Sequence, residues 1–229
     1  MGGKKLTGIG YNINGNKEFQ RIISVDIKDY ERISGKYKVG EKNGKGREYL
    51  IKLNSICFEG KYLKGKRNGK GKEYNEDGKL IFEGEYLNGK RNGKGKEYNE
   101  DGKLIFEGEY LNGDRNGKGI ENYYRDENES IYIDDEYYYE EIAKFEGEYL
   151  NGKRNGKGKE YNEDGKLMFE GEYFNGEKNG KGKKYYLNGI LKFEGEYLND
   201  ERNGKGKEYY KDGKLEFEGE YLNGKRKRI

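Results

Sequence analysis

The chain has 229 residues, with 47 Lys or Arg against 44 Asp or Glu and a net charge of +3. It has one cysteine and no histidine, proline or tryptophan. One cysteine excludes an intrachain disulfide framework and a cysteine-based zinc site. The lack of histidine excludes His-metal sites and the usual nucleophile–imidazole pairs. Near-neutral charge argues against a nucleic-acid binder. Leu, Ile, Val and Phe make only 42 residues, a composition close to that of disordered chains, but they recur at fixed positions.

Residues 1–32 follow no period. "MGGKKLTGIG" lacks the apolar region of a secretory signal, and a cytoplasmic location is expected. "FQRIISVDIKDYERI" alternates as a strand does, and this segment is expected to cap the rest of the chain. From residue 33 to 229 the chain is a repeat array. A degenerate copy opens at Ile33. Phe58, Phe82 and Phe106 then follow at a spacing of 24, as do Phe145, Phe169, Phe193 and Phe217.

Within a copy such as 82–105, "FEGEYLN" places Phe82, Gly84 and Tyr86 on one face of a strand and Glu83 and Glu85 on the other. "KGKEYN" reads as the returning strand. Turns are expected at "KRNG" (90–93) and "NEDG" (99–102), because Asn-Gly and Asp-Gly tolerate positive φ. A helix is excluded by the glycines, each costing about 1 kcal/mol relative to Ala. The predicted fold is therefore all-β: an elongated antiparallel meander of stacked hairpins. Three aromatic rows are expected to form its core, one through Phe58, Phe82 and Phe106. A second runs through Tyr62, Tyr86 and Tyr110, and a third through Tyr74, Tyr98, Tyr161, Tyr185 and Tyr209.

The period breaks between Phe106 and Phe145, where about residues 120–144 form an acidic, Tyr-rich insertion. Two readings stand side by side: a lengthened strand pair, or a docking feature for a basic partner through Tyr132, Tyr137, Tyr138 and Tyr139. Cys57 stands where other copies have Ile81, Ile105 and Met168, and reads as a small apolar residue. "NGKGK" is glycine-rich but lacks the Lys-Ser/Thr ending of a phosphate loop. The Glu pairs repeat identically, whereas a catalytic pair needs one asymmetric pocket. No enzyme activity and no cofactor are expected.

"FEGEYLNGKRNGKGKEYNEDG" resembles the MORN (membrane occupation and recognition nexus) repeat, with Phe at the first aromatic and Tyr at the second. The resemblance covers about residues 33–229, and the "DGKL" link is similar to the variant repeat of antitoxin-like proteins. It implies an extended β-sheet rod that acts as a scaffold for protein–protein interaction. It also implies, in some members, contact with acidic phospholipids; an antitoxin-like inhibitory role is a third possibility. For the lipid reading, the bases around "GKRNGKGK" make a basic edge. The candidate anion-binding residues are Lys66, Arg67, Lys90, Arg91, Lys94, Lys153, Arg154 and Lys157. The alternative is that these charges only keep the sheet soluble.

Overall fold

A computed structural model describes residues 35–124 and 143–227, together with the backbone of Lys5–Leu6 and Val25–Asp26. The expected cap over residues 1–32 and the docking tyrosines Tyr132, Tyr137, Tyr138 and Tyr139 therefore lie outside the described residues, apart from those two short strands. These, β1 (Lys5–Leu6) and β2 (Val25–Asp26), pair antiparallel with each other. The chain divides into two compact units, residues 1–113 and 114–229.

In the first unit the repeat strands are β3 (Lys36–Gly40), β4 (Gly44–Leu50), β5 (Ser55–Leu63), β6 (Lys66–Tyr74), β7 (Leu80–Leu87), β8 (Lys90–Tyr98) and β9 (Leu104–Leu111). Each pairs antiparallel with the next in sequence. In the second unit they are β10 (Asp114–Asn122), β11 (Lys144–Leu150), β12 (Lys153–Tyr161), β13 (Leu167–Phe174), β14 (Glu177–Tyr185), β15 (Leu191–Leu198), β16 (Glu201–Tyr209), β17 (Leu215–Leu222) and β18 (Lys225–Arg226). They form a second meander of the same kind.

One of the two expected turns is elsewhere. "KRNG" is not a turn: residues 90–93 lie inside β8. The reversal falls two residues earlier, at Asn88–Gly89, where Leu87 pairs with Lys90 across a two-residue loop. Both residues have positive φ, 52° and 94°, as a type I′ turn requires. The Asn92–Gly93 dipeptide serves a different purpose. Between the pairs Gly84–Gly95 and Tyr86–Arg91, the single residue Glu85 faces Asn92, Gly93 and Lys94. That bulge needs Gly93 at φ 92°, and the Glu85 carboxylate accepts a hydrogen bond from the Lys94 amide at 3.2 Å. The second expected turn stands at the expected place. The Asn99 side chain accepts bonds from the amides of Asp101 and Lys103, at 3.1 and 2.8 Å, and Gly102 closes the turn onto the Asn99 carbonyl.

The packing unit is a ring laid over glycine. Gly84 and Gly95 are directly paired, and the Phe82 ring covers both. A β-carbon on Gly95 would stand 2.5 Å from Phe82 Cζ. Phe82 meets Tyr86 of its own copy and Tyr110 of the next edge to face, with centroids 5.7 and 5.2 Å apart. The pattern recurs as Phe58 against Tyr62 and Tyr86, and in the second unit as Phe145 against Tyr149 and Tyr173. Phe58, Phe82, Phe106, Phe145, Phe169 and Phe193 are fully buried, and Phe82 shows how: rings and an arginine of its own and the next copy cover it. This explains how a chain so poor in aliphatic residues folds.

The third aromatic row departs from expectation. Tyr98 stands on the opposite face of the sheet, because the Phe82 face takes Gly95 and Glu97 and side chains alternate. Its hydroxyl donates to Glu83 at 2.8 Å. Tyr74, Tyr161, Tyr185 and Tyr209 bond Glu59, Glu146, Glu170 and Glu194 in the same way. These rings support a half-exposed polar face rather than the core. Cross-strand Lys–Glu pairs such as Lys96–Glu107 and Lys159–Glu170, both at 3.4 Å, complete that face.

Candidate interaction surfaces

The Phe face is roofed by charge. Arg91 lays its guanidinium 4.0 Å above the Phe82 ring, and Arg67 and Arg154 do the same over Phe58 and Phe145 at the same distance. Each guanidinium also bridges two carboxylates. Arg91 donates to Glu73 at 2.7 Å and to Glu97 at 3.1 Å. Glu73 in turn accepts from Arg67 at 2.9 Å and from the Tyr86 hydroxyl at 2.8 Å. In the first unit the result is a continuous ladder from Glu48 through Arg67, Glu73 and Arg91 to Glu97. The second unit runs from Arg115 through Glu121, Arg154 and Glu160 to Lys178. A separate stretch joins Arg202, Glu208 and Arg226.

The electrostatics follow from this geometry. Burial pushes the Glu48 carboxyl up, but hydrogen bonds and charge from Arg67, with help from Lys38 and the Tyr62 hydroxyl, more than reverse that and hold it at about 2. Glu73 and Glu208 are lowered against their own burial by Arg91 and Arg202 respectively. The Tyr86 hydroxyl is raised, first by burial and then by Glu73. Burial likewise pushes the Cys57 thiol up, in keeping with a packing role. Among the described residues no group of three or more His, Cys, Asp or Glu is placed to hold a metal ion.

The candidate basic edge is split by the sheet. Arg67, Arg91 and Arg154 point to the Phe face and are consumed by the ladder, so they do not belong to an exposed edge. Arginine shares its strand with the lysines, and only alternation separates them. Lys66, Lys90 and Lys153, next to the I′ turns, are exposed on the other face, as are Lys94 and Lys157 at the bulges. Glu121, read as part of the acidic insertion, is instead a ladder residue: Ile120 to Asn122 still belong to β10, and Glu121 takes hydrogen bonds from Arg115 and Arg154 at 2.6 and 2.9 Å.

One surface feature was not singled out in the sequence. The residue after each core tyrosine is apolar and about half exposed. In the first unit these are Leu63, Leu87 and Leu111, and in the second Leu150, Phe174, Leu198 and Leu222. Strand alternation gives the signal, since a residue next to a buried Tyr must face outward. Each leucine pairs across the turn with the lysine or its counterpart, as Leu87 does with Lys90.

The search of curated proteins returned no match. Family models do match. The MORN repeat model matches residues 82–103, 106–124, 145–166, 169–190 and 193–214, and the MORN repeat variant model matches residues 67–88. The matched segments 82–103, 145–166, 169–190 and 193–214 each carry the glycine pair, the covering ring and the two-turn hairpin seen in the fold. Their spacing and the antiparallel meander of stacked hairpins they build agree: the chain belongs to the MORN repeat family.

Proposed function

We propose that this protein is a docking scaffold for another protein, which binds across the outward apolar row. The observation that carries this reading is the repetition of a half-exposed Leu or Phe beside every described I′ turn. Within each unit successive members are two strands apart, or about 9.6 Å at the usual strand spacing. A contiguous apolar row on a face otherwise made of charged and tyrosine side chains marks an interaction surface. The repeated chemistry of the Phe face, by contrast, is spent internally. The test is quantitative copurification from the native cell, comparing wild type with Leu87→Glu plus Leu111→Glu. These outward substitutions should leave the melting profile unchanged and remove the partners recovered with wild type. Recovery of the same partners by the double variant would refute the reading.

A second reading is favoured by the exposed Lys66, Lys90, Lys94, Lys153 and Lys157, which share a face with that apolar row. Such a face suits an acidic phospholipid surface, at about 1 kcal/mol per base near the membrane. Flotation with anionic and neutral vesicles at two salt concentrations tests it. The informative variant changes these five lysines to Gln and leaves the arginines alone, since the fold needs them. Wild type that ignores anionic vesicles at low salt would exclude lipid binding.

A further inference from the structure

In three copies the ladder builds a socket for a carboxylate. Glu73 takes hydrogen bonds from Arg67 of its own copy and from Arg91 and Tyr86 of the next. Glu160 takes its three from Arg154, Lys178 and Tyr173, at 3.5, 2.8 and 2.8 Å. Glu208 takes its three from Arg202, Arg226 and Tyr221. In register, each of these carboxylates stands between two Phe residues of the flanking strands.

In the copy that begins at Phe169 the same place, between Phe169 and Phe193, holds Lys184. The three donors of the socket are nevertheless all retained: Lys178 from its own copy, and Arg202 and Tyr197 from the next. Lys178 lies 4.3 Å above the Phe169 ring and Arg202 lies 4.4 Å above Phe193, so both side chains keep the ladder posture. Arg202 pairs with Glu208 on one side, and among the described residues no carboxylate joins it on the other. The Tyr197 side chain is 8% exposed, and its hydroxyl is buried without a carboxylate to accept its proton. A buried hydroxyl left unsatisfied in this way destabilises the fold.

We propose that this break in the ladder, formed by Lys178, Lys184, Tyr197 and Arg202, is a binding site for a carboxylate group supplied from outside the chain. The guest replaces the missing Glu: one oxygen accepts from the Tyr197 hydroxyl and the other from the Arg202 guanidinium, while the lysines neutralise the charge. The preference for carboxylate over a larger anion follows from the other sockets, which are sized to that group. One site of this kind is weak by itself, and it adds specificity to a larger contact.

The test is an NMR titration of the full chain with sodium acetate and with acetyl-Gly-Glu-Gly-amide, against sodium chloride at matched ionic strength. Saturable shifts confined to the amides around Lys184, Tyr197 and Arg202 are expected with either carboxylate and absent with chloride. A response to acetate alone assigns the site to small free carboxylates, and a response to both admits an acidic side chain. Lys184→Glu should supply the acceptor from within, abolish the response and raise the melting temperature by a few degrees. Tyr197→Phe should keep the fold and weaken acetate binding several-fold. Shifts that are equally large in chloride, or that persist unchanged in Lys184→Glu, would overturn the proposal.

Discussion

Replacing Gly84 by Ala adds one methyl group at the centre of a hairpin. Its β-carbon would meet Gly95 Cα, the Lys94 carbonyl oxygen and Phe82 Cζ, each at 2.7 Å. Two of those three atoms are backbone and cannot rotate away. Overpacking of this kind costs about 1–3 kcal/mol, to which the partial displacement of Phe82 adds a share of the roughly 1.5–3 kcal/mol for burying such a ring. Against this, Ala restricts the unfolded chain and returns about 0.4–1 kcal/mol. The net loss should be about 2–4 kcal/mol. Lys94→Ala, one residue before the paired Gly95 but exposed, should stay within about 0.5 kcal/mol of wild type. For a chain of this size that separates the melting temperatures by at least about 3 °C. Circular dichroism melts give the comparison. Hydrogen exchange shows whether the loss is centred on β7 and β8, as an array with nearest-neighbour packing requires. The double variant Phe82→Leu plus Gly84→Ala should lose less than the sum of the singles, because the smaller side chain relieves the clash. Equal melting of Gly84→Ala and Lys94→Ala would refute the ring-over-glycine account.

Arg91→Ala should cost about 2 kcal/mol or more, since it removes the cover of Phe82 and both ladder bonds. Arg91→Lys should cost about half that, because Lys178 fills the same place over Phe169; denaturant titration ranks the two. The protein should lose stability as pH falls from about 4.5 to 2. Glu48 is held at about 2 when folded, so its contribution is complete above its unfolded value and vanishes through its folded one. That shift is worth roughly 3 kcal/mol, with Glu73 and Glu208 acting in the same direction; denaturation midpoints at pH 7, 4 and 3 measure it. At the alkaline end, the raised hydroxyls of Tyr86 and Tyr173 keep their protons above the unfolded value near 10. Stability should therefore fall as pH climbs past about 10, and ultraviolet titration should show tyrosines that ionise only on unfolding.

The fold is legible because its period is written in residues with one dominant conformational use. Gly84, Phe82 and Tyr86 alternate as a strand must, and Asn99 to Gly102 form the expected turn. The misplaced turn has a plain cause: Asn88–Gly89 and Asn92–Gly93 are both Asn-Gly pairs four residues apart, and composition does not say which reverses the chain and which bulges it. Register decides, since only the earlier one lets Tyr86 face Arg91. The fate of the arginines is hidden for a related reason. In "GKRNGKGK" Lys90 and Arg91 look equivalent as charges, but alternation sends one to solvent and the other onto Phe82. Tyr98 misleads because its aromatic identity suggests the core, whereas strand parity sends it to the other face. The ladder itself has a signal in the sequence: Arg91 and Glu97 recur at constant separation, and that constancy marks a paired interior rather than a free edge.

The register Gly60–Gly71–Gly84–Gly95–Gly108 has a consequence for inheritance. Excising residues 82–105 would join Ile81 to Phe106. Phe58 would then meet Tyr110 in place of Tyr86, and Gly71 would meet Gly108 in place of Gly84. Every replacement is the same residue type. A recombination event in the gene that drops this period therefore leaves those core pairings chemically unchanged, and copy number can drift without passing through a misfolded ancestor. The tolerated unit of variation is the whole period of 24 residues, while a shift of a single residue would turn every ring to the wrong face.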